Sequence, residues 1–250
     1  MRRILSLSLL GLLGLLAASP LAAAEFSPAQ KGEMEQIIRD YLLQNPEVLR
    51  DAFIELQKRE QTAKADAARS AVKDNAAEIY RAKGDFVLGN PDAKIALVEF
   101  FDYNCGYCKK SFPDMVKLSG EKDLKIIFKE FPILSAGSVV AAKAALAAKA
   151  QGKYWELHQA YMEFPGQKDE KTALAIAEKT GLDMERLKKD MAAPEVGETL
   201  AANMQLARKL GVDGTPGFVA GEELIPGAVG FDALSALIQD IRDKGGCQIC

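Results

Sequence analysis

The chain has few cysteines and a single histidine, and it has no long apolar run after residue 24. Its 250 residues include four cysteines and one histidine, His158. A disulfide-stapled scaffold of this size would use more cysteines at wider spacings. A single histidine with no second histidine or cysteine near it in sequence favours a packing role over a ligand or catalytic role. After residue 24, no apolar run is long enough to span a bilayer.

The chain also lacks an excess of positive charge. The chain has 32 lysines and arginines against 35 aspartates and glutamates, a formal net charge of −3. The first 24 residues contain two arginines and no acid, so without them the balance is 30 against 35, or −5. This balance gives no reason to expect a nucleic acid or an anionic membrane surface as a partner.

Residues 1–24 have the pattern of a cleaved export signal. Arg2 and Arg3 precede the apolar run 4–16, and three alanines precede a cut at Glu25. The alternative is an uncleaved membrane anchor. A cleaved signal of this form predicts export to the periplasm, a compartment in which disulfides form.

Two amphipathic helices are predicted directly after the signal. Ser27, followed by a proline, begins a capping box, and Asn45, also followed by a proline, repeats the cap-plus-proline pattern. Two short helices cannot bury both of their apolar stripes by themselves. We therefore expect residues 25–60 to form an oligomerisation segment of a homo-oligomer. The alternative is that they dock on the main domain of a monomer.

The next segment, residues 61–84, is predicted to be a solvated linker helix. It is rich in alanine and charged residues. Its apolar track is thin and consists of Ala68, Val72, Ala76 and Ile79. This composition is typical of a spacer rather than of an element docked on a core.

The main domain is predicted over residues 85–250 and belongs to the α/β class. The apolar run Ile95–Phe101, a helix after it and a strand that begins at Leu124 make a β-α-β unit. Helical patterns without strands follow over about 137–211, and strand patterns then return before a last helix. This order predicts a sheet interrupted by an inserted helical subdomain.

The motif that carries chemistry is Cys105-Gly106-Tyr107-Cys108. It follows a buried strand and precedes a helix, which is the placement of a thiol–disulfide redox site. The N–H groups and the dipole at a helix start favour thiolate over thiol. We therefore predict that Cys105 attacks disulfides and that Cys108, one turn into the helix, resolves the mixed disulfide.

Three further residues complete the predicted site. Glu99 lies in the strand before the cysteines, and alternation points it into the core. A buried carboxylate has a raised pKa and can exchange a proton with Cys108; the alternative is that Glu99 reaches solvent at the end of its strand. Thr215 and Pro216 precede a later strand. Proline lacks an N–H, so an adjacent backbone position stays open for an extended substrate.

A second C-x-x-C, formed by Cys247 and Cys250, lies at the C-terminal end. We expect a local disulfide or two free thiols in a frayed tail. A second redox pair and a thiolate site for Cu(I) are the alternatives. The 138 residues between Cys108 and Cys247 far exceed the spacing of a zinc ribbon, which excludes a structural zinc shared by the two pairs.

These motifs together resemble the thioredoxin superfamily. The strand–C-x-x-C–helix order, Lys109 and Pro113 after the cysteines, the acid Glu99 and the late Thr-Pro pair carry the resemblance. The helical block between the second and third core strands resembles the DsbA-like branch. Within that branch, residues 25–60 resemble the N-terminal extension of ScsC-like suppressors of copper sensitivity.

The resemblance implies a thioredoxin fold with an inserted helical subdomain and an N-terminal helical extension. It implies disulfide exchange at Cys105 and Cys108 and a cis peptide bond before Pro216. No cofactor is expected. The expected partners are unfolded or misoxidised exported proteins and a membrane redox partner.

The site departs from DsbA itself at two places. DsbA has Pro-His between its cysteines and Val before the cis proline, whereas this chain has Gly106-Tyr107 and Thr215, which resemble the isomerase DsbC. Without that histidine the thiolate loses a favourable cation, so a less oxidising site is expected. An isomerase or reductase is therefore favoured. A DsbA-like thiol oxidase and a Cu(I)-binding copper-tolerance protein are the alternatives.

Overall fold

The computed structural model describes residues 26–250. The export signal predicted over residues 1–24 lies outside the described residues. The chain forms two compact units that divide between Lys58 and Arg59. In the described part of the chain, no helix combines the length and the apolar character needed to cross a membrane.

The first unit contains α1 (Pro28–Gln44) and the beginning of α2 (Glu47–Asp74). The predicted capping box is present: the Ser27 hydroxyl accepts from the N–H of Gln30, and the Gln30 side chain accepts from the N–H of Ser27. Asn45 closes α1 instead of capping α2. Its side-chain amide and its backbone N–H both donate to the carbonyl of Tyr41, because the last carbonyls of a helix lack intrahelical donors.

The apolar side chains of this unit are exposed. No residue of α1 is buried, and Ile37 and Phe53 keep 66% and 59% of their surface exposed. Eight other large apolar residues of the two helices share this exposure: Met34, Ile38, Tyr41, Leu43, Val48, Leu49, Ile54 and Leu56. The apolar stripes predicted from the sequence are therefore solvated in the described single chain.

Residues 61–84, for which the sequence predicts a solvated linker helix, pack in part on the domain. α2 continues through residue 60 without a break, and a short helix α3 (Ala76–Tyr80) follows it. Val72 and Ile79 are fully buried and belong to the same apolar cluster as Val98 of the sheet. The apolar track has few residues because only one face of these helices packs on the domain.

The second unit contains a five-stranded sheet with the strand order β1-β3-β2-β4-β5. The strands are β1 (Phe86–Gly89), β2 (Ile95–Phe101), β3 (Leu124–Glu130), β4 (Gly217–Ala220) and β5 (Glu223–Pro226). β2 and β3 pair in parallel, and the other neighbours pair antiparallel. Every residue of β2 is buried, in keeping with a sequence that is apolar except at Glu99.

Helices cover both faces of the sheet. They are α4 (Gly106–Leu118), α5 (Ala136–Ala148), α6 (Tyr154–Glu163), α7 (Glu170–Lys179), α8 (Met184–Met191), α9 (Pro194–Leu210) and α10 (Phe231–Asp243). Five of them, α5 to α9, occupy the stretch for which the sequence predicts an inserted helical subdomain. Alternate residues of β2 enter two apolar clusters, with Leu97 and Phe101 in one and Val98 and Phe100 in the other.

Docking of the end of α2 on the sheet is tested by two matched substitutions. Val72→Ala removes fully buried methyl groups, so we expect the free energy of unfolding to fall by about 1–3 kcal/mol. Val116→Ala is the control, because Val116 is also helical but 41% exposed. Urea unfolding monitored by circular dichroism measures both. Equal small effects would contradict the docking.

Candidate active site

The two cysteines of the C-x-x-C motif lie where β2 gives way to α4. Cys105 is the N-cap residue of α4, and its backbone N–H donates to the carbonyl of Asp102 at 3.0 Å. Cys108 lies in the first turn of the helix. Both are free thiols, and they differ in exposure: Cys105 retains 6% of its surface and Cys108 none.

The loop before β4 lies against Cys105. Antiparallel pairing places Gly217, the first residue of β4, opposite Phe100 near the end of β2. The loop before β4 and the cysteines after β2 therefore lie at the same end of these two strands. In its protonated form, the Cys105 thiol donates to the carbonyl of Thr215 at 3.2 Å. The Thr215–Pro216 peptide bond is cis, as the resemblance implies. The fold thus brings together two motifs that are 110 residues apart in sequence.

The surroundings of Cys105 lower its pKa from 9.0 to about 5. The largest cause is the hydrogen bond from the Cys108 thiol, and the Thr215 side chain and the backbone N–H groups of Cys108 and Tyr107 add to it. Burial acts in the opposite direction. All of these donors are neutral; those of Cys108 and Tyr107 lie in the first turn of α4, and that of Thr215 lies in the loop before β4. Cys105 is therefore ionised at neutral pH in the reduced protein.

Cys108 has the opposite character. Burial raises its pKa, and its hydrogen bond to Cys105 and the charge of Glu99 raise it further. The thiol of Cys108 therefore keeps its proton while it stabilises the thiolate of Cys105. A lowered pKa is typical of an attacking thiol, whereas a raised pKa keeps the second thiol protonated.

Glu99 points into the core, in agreement with the alternation expected from the sequence. It is 1% exposed, so the alternative that it reaches solvent is wrong. It lies opposite Phe128 of β3 and Phe218 of β4, and its Oε1 has no hydrogen-bond partner in the described part of the protein. Burial first, and then the charge of Cys105, raise its pKa to about 8. The carboxyl group is therefore protonated at neutral pH while Cys105 is a thiolate.

Asn104, which the sequence analysis missed, fixes the cysteine loop to the helical block. Its side-chain amide donates to the hydroxyls of Ser135 and Ser138 and to the carbonyl of Lys168, and its Oδ1 accepts from the Lys168 N–H at 2.7 Å. Its own N–H donates to the carboxylate of Asp102. The sequence offers one signal for this role, which is the position of Asn104 directly before the motif. Its hydrogen-bond partners are distant along the chain and leave no local pattern.

His158 has the packing role that the sequence predicts. It is fully buried, and burial lowers its pKa to about 3. Its Nδ1 lies 3.0 Å from the hydroxyl of Tyr103. That hydroxyl and the hydroxyl of Tyr154 both donate to Glu130. The histidine is thus a neutral member of a buried network beneath the cysteine loop.

Exposed apolar side chains lie in the motif and beside the cysteine loop. They are Tyr107 of α4 and Leu134, whose N–H donates to the carboxylate of Asp102. Tyr107, inside the motif, is 66% exposed. A cavity of about 140 Å³ lies beside Pro216 and is lined in part by Val212 and Leu224. The edge of the site is therefore apolar and open.

The C-terminal cysteines are not in a frayed tail. Cys247 and Cys250 form a disulfide, and the N–H of Cys247 donates to the carbonyl of Lys94 at 3.0 Å. The local disulfide expected from the sequence is confirmed, but the expected fraying is wrong, because backbone bonds and apolar packing hold the segment. While the disulfide is formed, neither sulfur is a thiolate that could bind Cu(I).

The two shifted pKa values predict a compensation in stability. The thiolate of Cys105 adds stability to the reduced protein as the pH rises from about 5 towards 9, because its folded pKa lies below the unfolded one. Glu99 removes stability as the pH rises from 4.5 to about 8, because its folded pKa lies above the unfolded one. These two contributions oppose each other between pH 5 and 8.

We expect Glu99→Gln to remove that opposition. The free energy of unfolding of the reduced variant, relative to the reduced wild type, then rises by about 1.4 kcal/mol per pH unit over pH 6–7. Urea unfolding under anaerobic reducing conditions measures this difference. Glu156→Gln, at an exposed position of α6, is the control and follows the wild type. Parallel pH profiles for wild type and Glu99→Gln would contradict the pKa assignment.

The sequence matches two family models. The DSBA-like thioredoxin domain matches residues 96–239, which is more than half of the chain. The copper resistance protein ScsC N-terminal domain matches residues 30–63.

Solved structures of similar proteins agree with these matches. A thioredoxin-like oxidoreductase from Silicibacter pomeroyi DSS-3 is 42% identical, with a TM-score of 0.65, over 67% of this chain and 97% of that one. A linker-deletion mutant of Proteus mirabilis ScsC is 29% identical, with a TM-score of 0.68, over 89% of this chain and 100% of that one. A periplasmic thioredoxin-like protein from Salmonella enterica serovar Typhimurium is 32% identical, with a TM-score of 0.57, over 66% of this chain and 93% of that one.

The curated relatives are longer proteins. The Na(+)/H(+) antiporter NhaA 1 of Salinispora arenicola is 29% identical over 157 residues, which are 62% of this chain and 24% of the antiporter. The chain thus spans about a quarter of the length of the curated relatives it matches, and the antiport named for them is not assigned to it. The family model, the cysteine site and the fold agree, and the chain belongs to the family of DSBA-like thioredoxin domains, with an ScsC N-terminal domain ahead of the thioredoxin fold.

Proposed function

We propose that the protein is a periplasmic thiol–disulfide oxidoreductase that isomerises or reduces disulfides of exported proteins through Cys105 and Cys108. The observation that carries the proposal is the asymmetry of the two thiols. The pKa of Cys105 is about 5, and that of Cys108 is raised above its ordinary value. One sulfur is thus ready to attack, and the other retains its proton until it is needed.

The first step is attack by the Cys105 thiolate on a substrate disulfide. A bond forms between Cys105 Sγ and one substrate sulfur, and the substrate S–S bond breaks. The other substrate sulfur leaves as a thiolate and takes a proton from solvent. The negative charge on Cys105 disappears in this step.

Loss of that charge prepares Glu99 for the second step. The charge of Cys105 is one of the two causes that raise the pKa of Glu99, so the pKa falls once the mixed disulfide has formed. As its pKa falls, Glu99 releases its own proton to water, and the resulting carboxylate then accepts the proton of Cys108. Cys108 attacks Cys105 Sγ and releases the reduced substrate, and the two electrons gained by the substrate leave a Cys105–Cys108 disulfide. In isomerisation, a second substrate thiol attacks the mixed disulfide instead.

Substrate contacts are assigned to the loop of Thr215 and Pro216. This loop touches Cys105, and the cavity of about 140 Å³ lies on its other side. The exposed apolar side chains around the motif, including Tyr107 and Leu134, suit unfolded or misoxidised proteins, which expose their own apolar residues.

The pKa of Cys105 is consistent with a site of intermediate oxidising strength, and the Gly106-Tyr107 dipeptide is the feature that favours isomerisation or reduction over dedicated oxidation. A value of about 5 lies between those of roughly 7 in thioredoxin and roughly 3.5 in DsbA. A more stable thiolate makes the disulfide a stronger oxidant, so the reduction potential is expected between about −270 and −120 mV. The groups that stabilise the thiolate are neutral donors, in keeping with a dipeptide that lacks histidine. A DsbA-like thiol oxidase is the alternative.

Self-association through residues 25–60 is the second part of the proposal. Ile37 and Phe53 stay exposed in the single chain, and residues 30–63 match the ScsC N-terminal domain. Burying these stripes between copies removes apolar surface from water and holds several cysteine sites in one particle. A membrane redox partner would keep the dithiol reduced. Location in the periplasm rests on the predicted export signal and on the periplasmic relative.

Substitution of each cysteine tests the mechanism. Cys105→Ser removes the attacking sulfur, so we expect no reduction of insulin disulfides above background. Cys108→Ser leaves attack intact but removes resolution, so mixed disulfides with substrate accumulate on non-reducing gels. The control is the double variant Cys247→Ser and Cys250→Ser, which retains insulin reduction. Full activity of Cys105→Ser would overturn the proposal.

Charged substitutions on the exposed stripe test the link between assembly and isomerisation. Ile37→Asp with Phe53→Asp is expected to lower the particle mass in light scattering to that of one chain. Rescue of a scrambled-disulfide substrate falls about 10-fold or more, and insulin reduction persists because the cysteine site is intact. Lys31→Asp, at an exposed position of α1, is the control. A wild-type protein that is a monomer, or that oxidises reduced substrates faster than it rescues scrambled ones, would contradict this part of the proposal.

A further inference from the structure

The Cys247–Cys250 pair lies far from Cys105. The N–H of Cys247 donates to the carbonyl of Lys94, which directly precedes β2. Cys105 follows the other end of the same strand. β2 has seven residues, and at about 3.3 Å per residue its two ends are roughly 20 Å apart. The two C-x-x-C pairs therefore occupy opposite ends of the sheet, and the mechanism proposed for Cys105 does not use the second pair.

The segment that carries this pair has a fixed position on the domain. In addition to the bond from Cys247 to Lys94, the Arg81 guanidinium donates to the carbonyl of Ile249 at 2.7 Å. Cys247 packs against the apolar cluster on one face of the sheet, and Ile249 and Cys250 pack against the cluster on the other face. The disulfide is thus held at a defined place, as a reacting group must be.

The spacing of the pair is poorly suited to stabilising the fold. The two cysteines are three positions apart, and a bridge that closes so short a loop removes little entropy from the unfolded chain. The same spacing is found in Cys105 and Cys108 and is the spacing of redox pairs. Cys247 and Cys250 are both half-buried, so they are more exposed than the cysteines of the candidate active site.

A cleft opens beside Cys247, one residue of the pair. It has a volume of about 270 Å³, and Cys247 and Ile249 form part of its wall together with Ala220 and Gly221. The acids on its rim are compensated: Glu222 and Glu223 pair with Lys73 and Arg69, and Asp240 pairs with Lys244. The cleft therefore has little net charge, and its wall combines apolar and polar residues, which suits the loop of another protein.

We propose that Cys247 and Cys250 form a second thiol–disulfide exchange site that takes electrons from dithiols of partner proteins. A partner thiolate attacks one sulfur of the disulfide, forms a mixed disulfide and releases the other cysteine as a thiol. The second thiol of the partner then displaces the tail cysteine. The partner is oxidised to a disulfide, and the tail gains two electrons and two protons. This site is independent of the role proposed for Cys105.

The test uses the full mature chain with Cys105→Ser and Cys108→Ser, which leaves the tail pair as the one disulfide. The oxidised variant is equilibrated with glutathione buffers of increasing reducing strength and separately with reduced thioredoxin as a dithiol protein. Free thiols are then alkylated and counted by mass spectrometry. We expect both reductants to produce two thiols per chain, because structural disulfides resist glutathione and redox-active ones do not.

A second arm measures exchange by the reduced variant with a fluorescent glutathione disulfide. We expect a rate at least about 10-fold above that of the control, which carries Cys247→Ser and Cys250→Ser in the same background. The inference is overturned if the tail pair stays oxidised in buffers that reduce Cys105 and Cys108 of the wild type. It is also overturned if the variant and the control exchange at the same rate. Neither result bears on the activity proposed for Cys105.

Discussion

Burial of β2 on both faces is the constraint on which the rest of the structure depends. Its residues alternate between two apolar clusters, so the strand can occupy only one register and one position in the sheet. In that position Glu99 is buried, and Cys105 lies at the start of α4, just beyond the C-terminal end of β2. The low dielectric around the strand raises the pKa of the carboxyl group. The same burial therefore stabilises the fold and sets the chemistry of the site.

The pKa values of Cys105, Cys108 and Glu99 depend on one another. Neutral donors lower the pKa of Cys105, while burial raises the pKa values of Cys108 and Glu99. A single negative charge in this small volume is more favourable than two, so the charge on Cys105 and the charge on Glu99 exclude each other. In the proposed mechanism, each step of disulfide exchange alters the proton affinity of the group that reacts next. Coupling of this kind needs the three groups to lie close enough for their charges to interact.

The chain uses its apolar residues in two ways. In the second unit, even the sparse track of Val72 and Ile79 is buried against the sheet. In the first unit, side chains of the size of Ile37 and Phe53 stay in water. A single chain gains nothing from such exposure, whereas an assembly of chains does. The described structure thus separates the part that supports the thiol chemistry from the part that we assign to assembly.

The sequence by itself determined the elements with strong local signals. The apolar run Ile95–Phe101 marked β2, the C-x-x-C marked the start of α4, and the Ser27 capping box marked α1. Periodicity and capping act over a few residues, so they are visible without the fold. The inward direction of Glu99 followed from alternation for the same reason.

Tertiary structure alone decided the features that join distant residues. It placed the Thr215 carbonyl on Cys105, gave Asn104 its partners near residues 135 and 168, and fixed the tail of Cys247 to Lys94. It also buried Val72 and Ile79, where composition had indicated a solvated spacer. Hydrogen bonds and packing between segments a hundred residues apart leave no local pattern, because each partner by itself is an ordinary polar or apolar residue.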